Sequence, residues 1–128
     1  NARRISCNSN LKQIGLAMMQ YSQDYDERVV PGAVGINGTV GRAWHILIQP
    51  YLKNNQIYIC PSDSDISTDT FWFGGVTPYH MSYGYNARIG GGNALESTVA
   101  PWLPSIGIST ASIIVPTSTI MVTDTGAN

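Results

Sequence analysis

The side chains able to do chemistry in this sequence gather in a few places. Asp63-x-Asp65-x-x-x-Asp69 sets three carboxylates close together, with Ser62, Ser64 and Ser67 as further oxygens, a donor set that could hold calcium. The spacing is not that of an EF-hand and no bidentate glutamate follows, so a solvated acidic loop is the simpler reading. His45 and His80 are the only histidines, and no Gly-x-Ser-x-Gly elbow or other nucleophile signature frames them. No catalytic residue is therefore assigned, and the chain reads as no enzyme. Phe71-Trp72-Phe73, with Tyr79, Tyr83, Tyr85 and Trp102, is rich enough in rings for an aromatic platform; Phe71, Trp72, Tyr83 and Trp102 are its candidate ligand contacts. The alternative is that these rings cap a small core beneath long loops. Gly90-Gly91-Gly92 is no phosphate loop, because no Lys-Ser/Thr follows it. Cys7 and Cys60 admit one disulfide or two buried thiols, and neither has a second ligand at metal-binding spacing.

The element that must position these groups is the first one. Residues 1–25 contain no proline and one glycine. Cys7, Leu11, Ile14, Met18, Tyr21 and Tyr25 recur in steps of four and three, the spacing of one helical face. Arg4, Asn8, Lys12, Gln20 and Asp24 form the opposite, polar face. The spacing predicts that Leu11, Ile14, Met18 and Tyr21 are covered by a sheet. Asn1-Ala2-Arg3-Arg4 is helix-competent with no cap before it, so the helix is expected to continue upstream.

The helix should end near Asp26-Glu27-Arg28, since Val30 precedes a proline and favours extended backbone. Residues 32–41 carry four glycines and an Asn37-Gly38 turn signal, a loop with room for a short hairpin. Asn37-Gly38-Thr39 also matches the short glycosylation sequon. Arg42 to Leu52 predicts a second helix with Trp44, Leu47, Ile48 and Tyr51 on one face and Pro50 as an obstacle. Gln56 to Cys60, Ser82 to Asn86, Ser112 to Val115 and Thr119 to Thr123 predict extended segments, the last a central strand. A long helix followed by short antiparallel strands gives an α+β class: one domain over 1–128, with 1–26 the helix and 27–128 the loop, short helix and sheet.

Composition narrows the classes further. Seven basic and eight acidic residues leave a net charge of −1, and charged residues make up 12% of the chain. That balance gives no nucleic-acid surface. No run of eighteen apolar residues is present.

Four segments together carry a family resemblance. The first is Cys7-Asn8-Ser9-Asn10-Leu11-Lys12-Gln13-Ile14-Gly15-Leu16-Ala17, continuing to Tyr21-Ser22-Gln23-Asp24-Tyr25. The second runs from Trp44 through Pro50-Tyr51-Leu52-Lys53 to Tyr58-Ile59-Cys60-Pro61-Ser62-Asp63. The third is Ser82-Tyr83-Gly84-Tyr85-Asn86, and the fourth is Pro116 to Thr123-Asp124-Thr125. In this order they resemble type IV pilin-like proteins, closest to those similar to type II secretion pseudopilins, with a prepilin-type cleavage and methylation segment. The resemblance implies a structural subunit of a pilus or pseudopilus, outside the cytoplasm at the cell surface or in the periplasm. It implies copies of itself and other pilins or pseudopilins as partners, in a helical filament assembled through the first helix. It also implies an inner-membrane anchor before assembly, through a hydrophobic half-helix preceding Asn1. That half-helix, and a C-terminal segment with a His and an Asp-Gly pair, lie outside this sequence. On this reading Arg3, Arg4 and Lys12 meet carboxylates of neighbouring subunits, against a plain solvated face. A minor pilin or surface module with the aromatic ligand site is the alternative. Calcium, known in the pseudopilin relatives, stays a weak candidate for Asp63, Asp65 and Asp69, because the family's calcium loop lies nearer the C-terminus. The resemblance, with the polar neighbourhoods of both cysteines, favours a Cys7–Cys60 bridge contributing about 3–4 kcal/mol.

Overall fold

The structure is a computed structural model and describes residues 2–36, 39–63, 81–86, 109–114 and 118–124. Its class is α+β. Helix α1 (Ala2–Asp24) runs for 23 residues. It leads into a hairpin of β1 (Ala33–Ile36) and β2 (Thr39–Ala43), then the single-turn helix α2 (Trp44–Leu47). Two 3₁₀ turns follow, Gln49–Tyr51 and Asn55–Tyr58. Strand β3 (Tyr83–Tyr85) pairs antiparallel with β4 (Val122–Asp124), Tyr83 opposite Asp124 and Tyr85 opposite Val122. The described strands thus form two separate pairs. α1 packs against the second pair and the 3₁₀ turns.

Each boundary has a local cause. α1 stops where Asp26 and Glu27 both take left-handed backbone, φ 52° and 54°. That conformation costs an L-residue roughly 1–2 kcal/mol, least for Asp or Asn. It is held by Glu27 N–H donating to Ser22 C=O (2.8 Å) and by Thr110 N–H donating to Glu27 C=O (2.8 Å). The reversed chain delivers Val29 and Val30, both buried, into the core. The glycine-rich stretch is a hairpin with a register irregularity between Val34 and Gly35.

The predicted second helix is shorter than its apolar spacing suggested. Arg42 and Ala43 belong to β2, and Pro50, lacking an N–H, turns the rest into a 3₁₀ segment. Its face survives: Trp44 and Ile48 are buried, Leu47 and Tyr51 half-buried.

Three extended predictions are corrected. Gln56 lies in a 3₁₀ turn because the Asn54 side chain caps it, accepting from Gln56 N–H at 2.9 Å. Of the stretch Ser112 to Val115, Ser112 ends a 3₁₀ turn (Thr110–Ser112) capped by Ser109, Ile113 is extended, and Val115 lies outside the described residues. β4 begins at Val122, later than expected, and pairs with β3 alone among the described strands; Ile120 before it is exposed.

One cluster joins these parts. α1 contributes Cys7, Ile14, Ala17, Met18 and Tyr21; Val30, Trp44, Ile48, Ile57, Tyr58, Cys60 and Tyr83 complete it. Trp44 stacks on Tyr85 at 5.4 Å between ring centres and meets Tyr58 edge-on at 6.0 Å. The buried ends of the rings find acceptors: Tyr58 Oη donates to His45 C=O (2.7 Å), Tyr83 Oη to Cys7 C=O (3.3 Å), and Tyr85 Oη to Val30 C=O. Ser82, fully buried, accepts from Cys60 N–H (2.9 Å) while its own N–H donates to Tyr58 C=O (3.0 Å).

Cys7 and Cys60 are joined by a disulfide, Cα to Cα 5.0 Å, across 53 positions of sequence. By the chain-entropy relation a loop of that length contributes about 4 kcal/mol. Cys7→Ser with Cys60→Ser should lower the urea unfolding free energy by about that amount, measured against the oxidised protein. Ser82→Ala should cost about 1–3 kcal/mol in the same measurement, because it leaves the buried Cys60 N–H without its acceptor.

Candidate functional site: the outward face of the first helix

α1 carries large apolar residues among the polar ones on its outer side. Ile5, Leu16 and Met19 are 68%, 60% and 62% exposed. At 3.6 residues per turn Ile5 and Leu16 stand just over three full turns apart, and Met19 follows less than one turn later, so the three fall within a sector of roughly 60°. Ile14 lies on the opposite side of the cylinder and is fully buried. Lys12 and Gln23, both exposed, share the outer sector. The helix therefore packs one apolar face into its own domain and leaves three large apolar side chains exposed among polar ones on the other side.

Ile14, Met18 and Tyr21, on the helix face expected to be covered, are buried in the domain's core, and Leu11 is half-buried beside them. Tyr25, on the same predicted stripe, is 53% exposed and stacks on Tyr21 at 4.2 Å. The stripe's spacing led past Ile5, Leu16 and Met19 because Arg4, Asn8, Lys12 and Gln20 around them suggested a wet face. Reading hydropathy around the whole circumference would have found them.

The charges on α1 run against its dipole. Arg3 and Arg4 stand in the first turn and Asp24 in the last, with Asp26 and Glu27 just beyond. Each such placement disfavours an isolated helix by roughly 0.3–1 kcal/mol. Asp24 is steadied by Tyr51, whose Oη donates to its carboxylate at 2.6 Å. That bond, first among the causes, pushes the Tyr51 hydroxyl up to about 12.

The remaining candidates are placed as follows. Asp63 is described, its N–H donating to Cys60 C=O at 2.9 Å; Asp65 and Asp69 lie outside the described residues, and with them the calcium reading. Among the described residues no three of His, Cys, Asp and Glu are grouped to hold a metal. Phe71, Trp72 and Trp102 also lie outside the described residues, as does His80. Tyr83 is a correction: its ring is buried and its hydroxyl is bonded to Cys7 C=O, so it has no face to offer a ligand. His45 is half-buried, edge-on to Trp44 and Tyr58 at 5.9 and 5.8 Å. Burial lowers its pKa below the ordinary 6.5.

Residues 1–58 match a family described as a protein of unknown function, DUF1559. The matched stretch takes in α1, the hairpin, α2 and both following 3₁₀ turns, and stops two residues short of Cys60. No curated protein and no solved structure matches the chain. Among the described residues no helix is long and apolar enough to cross a membrane.

His45 makes a pH prediction. Its native pKa lies below its unfolded one, so under pH 6.5 the unfolded chain binds the extra proton. Stability should be undiminished by this group above 6.5 and fall as pH drops through 6.5 toward the native value. His45→Gln should flatten that part of the stability–pH curve, measured by urea melts from pH 7.5 to 5.

Proposed function

We propose that this chain is the globular part of a pilin-like filament subunit, assembling with copies of itself through the outer face of α1. The observation that carries the reading is the exposed stripe of Ile5, Leu16 and Met19 on a helix whose other face is already covered. Water disfavours such a stripe, and contact with an equivalent helix removes it. The charge order supports a copy as the partner. Arg3 and Arg4 at one end and Asp24, Asp26 and Glu27 at the other stand about 30 Å apart by helical rise. A neighbour displaced along the axis brings opposite charges together, and a repeated displacement of that kind builds an open helical array rather than a closed dimer. The resemblance of Cys7–Tyr25, Trp44–Asp63 and Ser82–Asn86 to pilin-like sequences points the same way. It also suggests prepilin-type processing, a membrane-held precursor, and a filament of the pilus or secretion type at the cell surface or in the periplasm. The role is structural rather than catalytic. The alternative of an aromatic ligand site loses Tyr83 to the core.

The test is made on the full-length protein in its own cell envelope. Leu16→Arg with Met19→Arg should abolish filaments seen by negative-stain microscopy. The same pair should change the domain's unfolding free energy by no more than about 0.5 kcal/mol, since both side chains are exposed. Normal filaments carrying both arginines would sink the reading.

A further inference from the structure

Gly15 stands near the middle of α1, half-buried, with Leu11 one turn before it and Met19 one turn after. Glycine is the weakest helix former after proline, because it gives up the most backbone freedom on folding. Inside a helix it is ordinarily explained by a neighbour that leaves no room for a side chain. At Gly15 there is no such neighbour: among the described residues a Cβ added there would meet no side chain and no other segment within 4 Å. The described domain does not need this position empty.

The gap has a defined outline. Residues at i, i+3, i+4 and i+7 of one helix surround the hole that receives a side chain of a facing helix. Lys12, Gly15, Leu16 and Met19 are such a set. Leu16 and Met19, both well exposed, give the hole two apolar walls, and the methylenes of the exposed Lys12 can close a third. Gly15 leaves the floor open down to the backbone. A side chain seated on that floor lets two helix axes approach at or below the lower end of the usual range of about 8–10 Å.

The outline is that of a helix surface meeting another helix, and the charges of α1 favour a second copy as the source. Arg3 and Arg4 at one end complement Asp24, Asp26 and Glu27 at the other. Building on the assembly reading above, we propose that the helix of a neighbouring copy crosses α1 at Gly15 and sets one apolar side chain into the hole formed by Lys12, Gly15, Leu16 and Met19. The glycine then fixes where along α1 the copies touch and how closely they pack. Its cost to the isolated helix is offset by a contact that only the assembly makes.

The test uses the full-length protein in its cell envelope, with filaments counted by negative-stain microscopy, and urea melts of the domain alongside. Gly15→Ala should raise the domain's urea midpoint, because alanine is the better helix former and the space is open. Gly15→Leu should leave the domain folded and reduce filaments about tenfold or more, the effect of an overfilled contact. Gln13→Leu, which puts an exposed leucine on another flank of the same helix, should leave filament number unchanged. Benzoylphenylalanine placed at Lys12 should, when filaments are illuminated, give a covalent product of twice the chain's mass. Normal filaments with Gly15→Leu overturn this inference, and the assembly reading survives that result if Leu16→Arg with Met19→Arg still abolishes filaments. A lowered midpoint with Gly15→Ala, an equal loss of filaments with Gln13→Leu, or a photoproduct formed only with a different protein also overturns it.

Discussion

The covalent link between Cys7 and Cys60 is the constraint on which the rest of this small structure depends. It joins the first third of α1 to the segment after the second 3₁₀ turn, and both sulfurs are buried. Around it the backbone is tied off locally: Cys7 C=O takes Tyr83 Oη, and Cys60 N–H is taken by Ser82 Oγ. One strand of the β3–β4 pair is thereby seated on the helix through the same two residues. The described strands are short, three residues each in β3 and β4. An isolated two-stranded ladder is marginal in water. Its stability here comes from Tyr83 and Tyr85 reaching into the helix and the Trp44 turn.

That arrangement leaves some apolar residues of α1 outside the core. The domain covers one side only, with Ile14 at its centre. Leu16 and Met19 contribute nothing to the fold that Ile14 and Met18 do not already supply. Their exposure is a cost in the monomer, and the reversed charge order adds another. On the proposed reading, features that weaken an isolated helix become complementary when two such helices lie together.

Much of the fold was legible in the sequence. The four-and-three spacing identified α1 and most of its buried side, because burial on a helix follows period alone. The β-forming alternation of Ser82–Asn86 located β3, and the apolar face of Trp44, Ile48 and Tyr51 outlasted the loss of its helix. Short-range capping was harder to read. Asn54 bonds the backbone two residues on, and that bond overrode the β preference of Gln56 to Tyr58; Ser109 likewise draws Ser112 into a turn. The outward stripe was hidden by its polar neighbours, and Ala17 by its size. Tyr83 could not be sorted from the other aromatics, because only tertiary contact decides which ring is inside.

The contacts that hold α1 have a consequence in time. The helix is the first part of this sequence to be synthesised, yet Tyr83 and Tyr85, which close over it, come some sixty residues later. At about 5–20 residues per second that interval is on the order of several seconds. Throughout it the inward apolar face of α1 is uncovered, and a lone amphipathic helix of this length is barely stable in water. The helix therefore gains its own cover only once residues 83–85 have been made.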